Sequence, residues 1–366
     1  MIYNIKDKMN SNEGIGRRKF IQQASIVSLA LNIHPMTSLF KDTRMGIVVH
    51  SYASRWNAKV ESKNYPAFSN ALDLLEHCGK IGAGGIQTLT KDWTADFVKS
   101  LRGRKEKLGM YIEGSIAVPS SAEDIIRFEN ELKRAKEAGV SIVRTVCSSG
   151  RRYEAYHTLE EFKIAKLKAV ANLQLAEPIL RKHKMKLAVE NHKDWLATEH
   201  VEIIKKLNSE YIGVTLDFGN SIALMEDPMT VVQTLAPYAF TTHVKDMAVE
   251  EYHDGFLLSE IPMGQGMLNL SEMIAICKKH NSEIHFNLEM ITRDPLEIPC
   301  LKDTYWSTFD HGSATTLARS LRMVKENKYM AGLPRVSQLN QEDKLIIEEK
   351  NILDCLSYGI SKLGLK

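Results

Sequence analysis

From residue 44 onward, short apolar runs rich in β-branched residues alternate with longer segments of helical spacing. The runs are Met45–His50, Gly85–Leu89, Gly109–Glu113, Ser141–Val146, Lys186–Glu190, Ile212–Asp217, Phe240–His243 and Glu283–Glu289. Each is brief enough to be a buried parallel strand. Between them, apolar residues recur at one-turn intervals, as at Leu270, Met273, Ile274 and Cys277, or at Leu167, Val170, Leu173 and Leu180. Ser120, Ser121 and Thr158 are placed to cap helices, and Gly139 to end one just before a strand. Eight such units predict an α/β fold, a (β/α)8 TIM barrel over residues 44–328. A doubly wound open sheet would carry a Gly-rich phosphate turn after its first strand, whereas here the chain runs into His50-Ser51-Tyr52. Residues 340–363 read as a further amphipathic helix, capped by Asn340, with Leu345, Ile346, Ile352, Leu353, Leu356 and Ile360 on its apolar stripe. Residues 329–366 are thus a C-terminal helical extension, expected to pack on the barrel or to join copies in a homo-oligomer.

Residues 1–43 follow a different pattern. Gly16-Arg17-Arg18-Lys19-Phe20-Ile21 precedes a modest apolar stretch from Ala24 to Ile33. That stretch is shorter than the roughly 20 apolar residues of a membrane span and suits a leader. It resembles the twin-arginine signal that exports folded proteins, so a periplasmic location is expected, with the cytoplasm as the alternative. No cysteine follows the apolar stretch, so a lipid anchor and stable membrane insertion are not expected.

Charge narrows the partners. The 48 basic and 45 acidic residues leave a net charge of +3 with no long basic run, which argues against nucleic acid. The five cysteines are scattered and form no CxxC pair, so neither a disulfide framework nor a thiolate zinc site is expected.

Most of the apolar runs end in or near an ionisable residue: His50, Glu113, Arg144, Glu190, Asp217, His243 and Glu289. Any one of these is unremarkable where a strand reaches water. In a barrel, however, the C-terminal strand ends converge on one mouth. Glu190, Asp217 and Glu289 would then crowd together, and like charges at short range oppose ionisation. A divalent cation relieves that repulsion, and a set of mostly oxygen ligands suits Mn²⁺ first, with Mg²⁺, Co²⁺ or Zn²⁺ as alternatives.

Several stretches carry a family resemblance over roughly residues 44–328: Val189-Glu190-Asn191-His192-Lys193-Asp194, Leu216-Asp217-Phe218-Gly219-Asn220, His243-Val244-Lys245-Asp246, Gly264-Gln265-Gly266 and Leu288-Glu289. The chain resembles the xylose isomerase-like TIM barrel superfamily, in its sugar phosphate isomerase/epimerase branch. The resemblance implies Glu190, Asp217, His243 and Glu289 as metal ligands. It also implies that the two glutamates act as an acid/base pair across the substrate, through an enediolate. Ketose epimerases of this group carry a histidine where this chain has Asn220 and an arginine where it has Val249. Lys245, His192 and Arg144 are therefore expected to help hold substrate oxygens, Lys245 alternatively donating a proton. His50, Glu113 and Asn220 are expected pocket residues, and Trp306 in the loop from Met290 to Asp310 is a candidate for stacking on a sugar ring. Trp56 is a similar candidate. Asp194 is read as a contact or loop-stabilising partner of His192, and Arg144 as able to pair with Glu113.

DNA repair endonucleases of the superfamily need further histidines, where this chain has Gln87, Glu113 and Asn220. The expected activity is metal-dependent sugar isomerisation or epimerisation. A keto-sugar or keto-glycoside lyase/hydratase using the same site is the alternative, and a non-catalytic sugar-binding barrel the second.

Overall fold

Eight parallel strands close on themselves in the computed structural model, which describes residues 43–366 apart from 149, 311 and 312. They are β1 (Gly46–Val48), β2 (Gly85–Leu89), β3 (Tyr111–Ser115), β4 (Ile142–Thr145), β5 (Lys186–Glu190), β6 (Ile212–Asp217), β7 (Ala239–Val244) and β10 (His285–Leu288). Pairing of β1 with both β2 and β10 completes the barrel. Except for Thr43, the leader segment lies outside the described residues. No helix among the described residues is long and apolar enough to cross a membrane.

The helices between the strands form where the sequence supplies both a buried stripe and an end. Thr158 caps helix Leu159–His183 in a capping box with Glu161, and Phe162, Leu173, Ala176 and Leu180 face the core. Leu167 lies on the opposite side of that helix and is exposed, so it leaves the expected stripe. Neither Ser120 nor Ser121 caps the next helix upstream. Asp124 holds that position before Ile125–Glu137, and Ser120 instead donates to the Asp124 carboxylate. The third strand starts two residues later than expected because Gly109, at φ +67, closes helix Ala95–Leu108. The first is shorter because Val49–Tyr52 winds into a 3-10 turn.

A second sheet was not foreseen from the pattern. Strands β8 (Asp246–Tyr252) and β9 (Gly255–Ile261) form an antiparallel hairpin between β7 and its helix Leu270–His280, and β11 (Leu296–Ile298) adds to β9. His253-Asp254 makes the turn, and Gly255 follows at φ +151, where a Cβ would meet the Ile298 carbonyl at 2.2 Å. Val249, Phe256, Leu258 and Ile298 bury one face of this sheet in a separate apolar cluster with Leu224 and Tyr305.

Helix Gln341–Lys362 packs on the barrel, placing Ile352, Cys355 and Leu356 in the main core. Polar groups fasten it to the segment after β1. Arg55 donates to Glu349 at 2.9 Å, His77 Nε2 lies 3.0 Å from the same carboxylate, and the Ser54 amide donates to Glu348 at 2.8 Å. The other Glu348 oxygen has no hydrogen-bond partner, and burial pushes this carboxyl up to about 7. A carboxyl raised in the folded state keeps its proton longer than in the unfolded chain. Its contribution is therefore most favourable in acid and declines as pH rises from its ordinary value towards about 7. Glu348→Gln is accordingly expected to stabilise the fold by about 1–3 kcal/mol at pH 8. The gain should shrink towards pH 5 in thermal melts.

Candidate metal centre

The last residue of β5, Glu190, and the last of β6, Asp217, meet His243 near the end of β7 and Glu289 just beyond β10. All four are buried, and each offers one ligand atom within 4.8 Å of the others. His243 Nδ1 faces the three carboxylates, 3.7 Å from Glu190, 3.7 Å from Asp217 and 3.5 Å from Glu289. This nitrogen has no hydrogen-bond partner. Buried polar atoms are rarely left so, and an orphaned ring nitrogen facing three carboxylates fits a cation ligated by three oxygens and an imidazole.

Two of the three acids are held ionised by neighbouring cations. Burial opposes ionisation of Glu190, but Arg144, whose Nε donates at 2.6 Å, and His243 keep its carboxyl well below the usual range. Burial likewise opposes ionisation of Glu289, and Lys245 at 2.5 Å outweighs it. For Asp217 burial wins and the carboxyl is raised, although Lys245 Nζ lies 2.7 Å from it. The same ammonium thus touches two candidate ligands. For His243, burial is outweighed by Glu289 and Glu190, which push the imidazole up to about 10. A divalent ion taking Nδ1 would displace that proton, as metal binding to histidine generally does.

The far side of His243 is set by a hydrogen-bond chain through the barrel. Gln87 Oε1 lies 2.7 Å from His243 Nε2, and Gln87 Nε2 donates to Glu113 at 3.0 Å. Because the amide nitrogen is committed to a carboxylate, Gln87 presents its oxygen to the ring. Nε2 then carries the hydrogen and Nδ1 is left as the donor atom for an ion. Gln87→Leu is expected to weaken Mn²⁺ binding about 10- to 100-fold in calorimetric titration, the usual cost of losing such a partner.

Glu113 sits one side-chain layer below the ligands, accepting from Thr241 and Asn287, two residues before His243 and Glu289, and pairing with His285 at 2.7 Å. Its polar partners come from the barrel interior, not from the mouth where the sequence reading set it. Arg144 pairs with Glu190 and not with Glu113. His50 stands at the rim, partly exposed, with Nδ1 3.2 Å from Glu289. His192 follows Glu190 with an unpartnered Nδ1, and burial lowers its pKa to about 3, leaving a neutral ring. No hydrogen bond joins it to Asp194, whose carboxylate accepts from the Trp195 amide and is pushed up by burial to about 7. Asn220 donates to Glu190 at 2.9 Å. Trp306 is not brought to this group. Its indole donates to the Cys300 carbonyl at 2.9 Å, and its ring packs with Tyr305 and Phe309 in the second cluster. Trp56 packs against the core and bridges to Phe68.

The sequence reading also missed three charges, of which Glu260 and Lys193 are buried and Arg293 is partly exposed. The unforeseen hairpin carries Glu260, which pairs with Arg293 from the loop after β10 at 2.5 Å. Lys193 is buried beside Asn220. The Asp254-Gly255 turn between alternating runs was a legible signal for the hairpin. Nothing in the pattern marks the Glu260–Arg293 pair.

A closed parallel barrel with three carboxylates and one imidazole at its C-terminal mouth defines a candidate metal-site barrel. Residues 75–325 match the xylose isomerase-like TIM barrel family, and the chain belongs to that family. Over 231 residues it is 26% identical to the 3-oxo-isoapionate decarboxylase of Pectobacterium atrosepticum, spanning 62% of this chain and 78% of that protein. The fold is similar to a crystal structure of D-psicose 3-epimerase in the presence of D-fructose, with a TM-score of 0.58 and 13% identity over 87% of this chain and 99% of that one. It is also similar to a xylose isomerase-like barrel protein from Mycobacterium smegmatis in complex with magnesium, with a TM-score of 0.50 and 16% identity over 76% of this chain and 98% of that one.

Proposed function

We propose that this chain is a divalent-metal-dependent enzyme that moves a proton next to the carbonyl of a sugar, as an isomerase or epimerase. The observation that carries the reading is the buried meeting of Glu190, Asp217, His243 and Glu289, with the His243 Nδ1 left unpartnered among the carboxylates. These residues would hold the ion, Mn²⁺ being the best fit to the donors. When bound, it would supply a Lewis acid beside the substrate carbonyl. Glu190 and Glu289 flank the set from β5 and β10, with Asp217 and His243 between them around the barrel. One ionised glutamate takes the carbon proton while the C–H electron pair moves towards the carbonyl. The other, once protonated, returns a proton to the opposite face. Lys245 and Arg144 hold the two carboxylates in place.

The 3-oxo-isoapionate decarboxylase relative and Asn220 at the histidine position of ketose epimerases favour a second reading. In it, bond cleavage or addition at the next carbon of a keto-sugar or keto-glycoside follows the same start. The twin-arginine-like leader supports a periplasmic enzyme meeting unphosphorylated sugars. The test is deuterium exchange from solvent into free keto-sugars and keto-glycosides by Mn²⁺-loaded protein. Exchange that stops with chelator supports the proposal, and binding without exchange would leave a sugar-binding barrel. Product analysis separates isomerised from cleaved sugar.

A further inference from the structure

The buried cations at the mouth are paired with carboxylates, with one exception among the described residues. Arg144 pairs with Glu190 and Lys245 with Asp217 and Glu289, and the partly exposed Arg293 pairs with Glu260. Lys193 is only 4% exposed, and the described hydrogen-bond partner of its ammonium is the amide oxygen of Asn220. An ammonium has three donors, and a lysine is almost never fully buried without an opposite charge. Burial, followed by the neighbouring Lys245, lowers the Lys193 pKa to about 8, so it still carries its charge at neutral pH. The other end of Asn220 donates to Glu190 at 2.9 Å, which places Lys193 one amide away from a candidate ligand.

We propose that Lys193 recognises an anionic oxygen group of the substrate, so that the site takes acidic keto-sugars in preference to neutral ones. The inference rests on the metal-dependent reading above. A carboxylate and a phosphate share the required chemistry: an oxyanion accepting the free ammonium protons while another part of the same molecule reaches the ion.

Calorimetric titration of Mn²⁺-loaded protein with fructose, 2-ketogluconate and fructose 6-phosphate tests it. At least one acid should bind about tenfold or more tightly than fructose, and which acid does so identifies the anion. Lys193→Met should remove that preference without changing Mn²⁺ affinity, Lys193→Arg should retain part of it, and the Met variant should melt no lower than the parent. Equal binding of fructose and the acids, no binding of any of the three, a preference that survives Lys193→Met, or a lowered melting temperature would each overturn the proposal. Mn²⁺ titration is read separately. Protein that takes no Mn²⁺ sinks the metal-dependent reading, whereas protein that takes Mn²⁺ but shows no preference for acids sinks only the role of Lys193.

Discussion

Glu190→Gln and Glu289→Gln are each expected to slow deuterium exchange into a keto-sugar about 10²- to 10⁴-fold, the range general acid–base groups contribute. The amide keeps the side chain's shape and can still accept from Arg144 or Lys245, but it no longer takes a proton. Each glutamate is held ionised in the folded protein, Glu190 by Arg144 and Glu289 by Lys245, against the opposing effect of burial. The native state therefore presents two bases, and losing either should interrupt transfer to or from one substrate face. The comparison is made at saturating Mn²⁺, because both side chains are also candidate ligands. Turnover retained by either variant would remove that glutamate from the acid/base pair.

Asp217→Asn should act on the ion and leave the fold in place. Asp217 Oδ1 accepts from the Gly219 and Asn220 amides at 2.9 and 2.7 Å, which an asparagine oxygen can continue to do. The change falls on Oδ2, where an NH₂ group would face Lys245 and the other ligands. Mn²⁺ affinity is expected to fall at least about 100-fold, beyond the usual cost of losing an outer partner. Stability should not suffer, since burial already raises the Asp217 carboxyl and makes its charge unfavourable. Circular dichroism and a melt, run beside the metal titration, separate the two effects. A variant that fails to fold would mark Asp217 as a structural residue.

The barrel was legible because each of its strands leaves a local trace. A buried parallel strand needs a short apolar run, and all eight runs fall on barrel strands: Gly85–Leu89, Lys186–Glu190 and Ile212–Asp217 match at both ends, and the others shift by one or two residues. The three acids and the imidazole of the centre were legible for the related reason that strand ends converge. What stayed hidden depends on partners distant in sequence. Gln87 matters because Glu113 and His243, from other strands, fix its amide. Glu260 and Arg293 meet only after the hairpin has folded. Lys193 reads in sequence as an ordinary loop lysine, and its significance comes from burial with an amide oxygen as the described partner of its ammonium. Trp306 misled for the converse reason: an aromatic residue after the last strand suits a lid, yet its indole is tied to the Cys300 carbonyl.

The start and finish of the described chain meet. Thr43 Oγ1 donates to the Leu365 carbonyl at 2.7 Å, and the Arg44 amide donates to the same oxygen at 3.2 Å. This seam lies at the foot of β1, at the opposite end of the strands from the four ligand side chains. Rewiring the gene so that Leu365 runs into Thr43, with new ends opened in a surface turn, would need only a short bridge. Handles for immobilisation attached at this foot would likewise keep the rim with the candidate metal centre facing the solution.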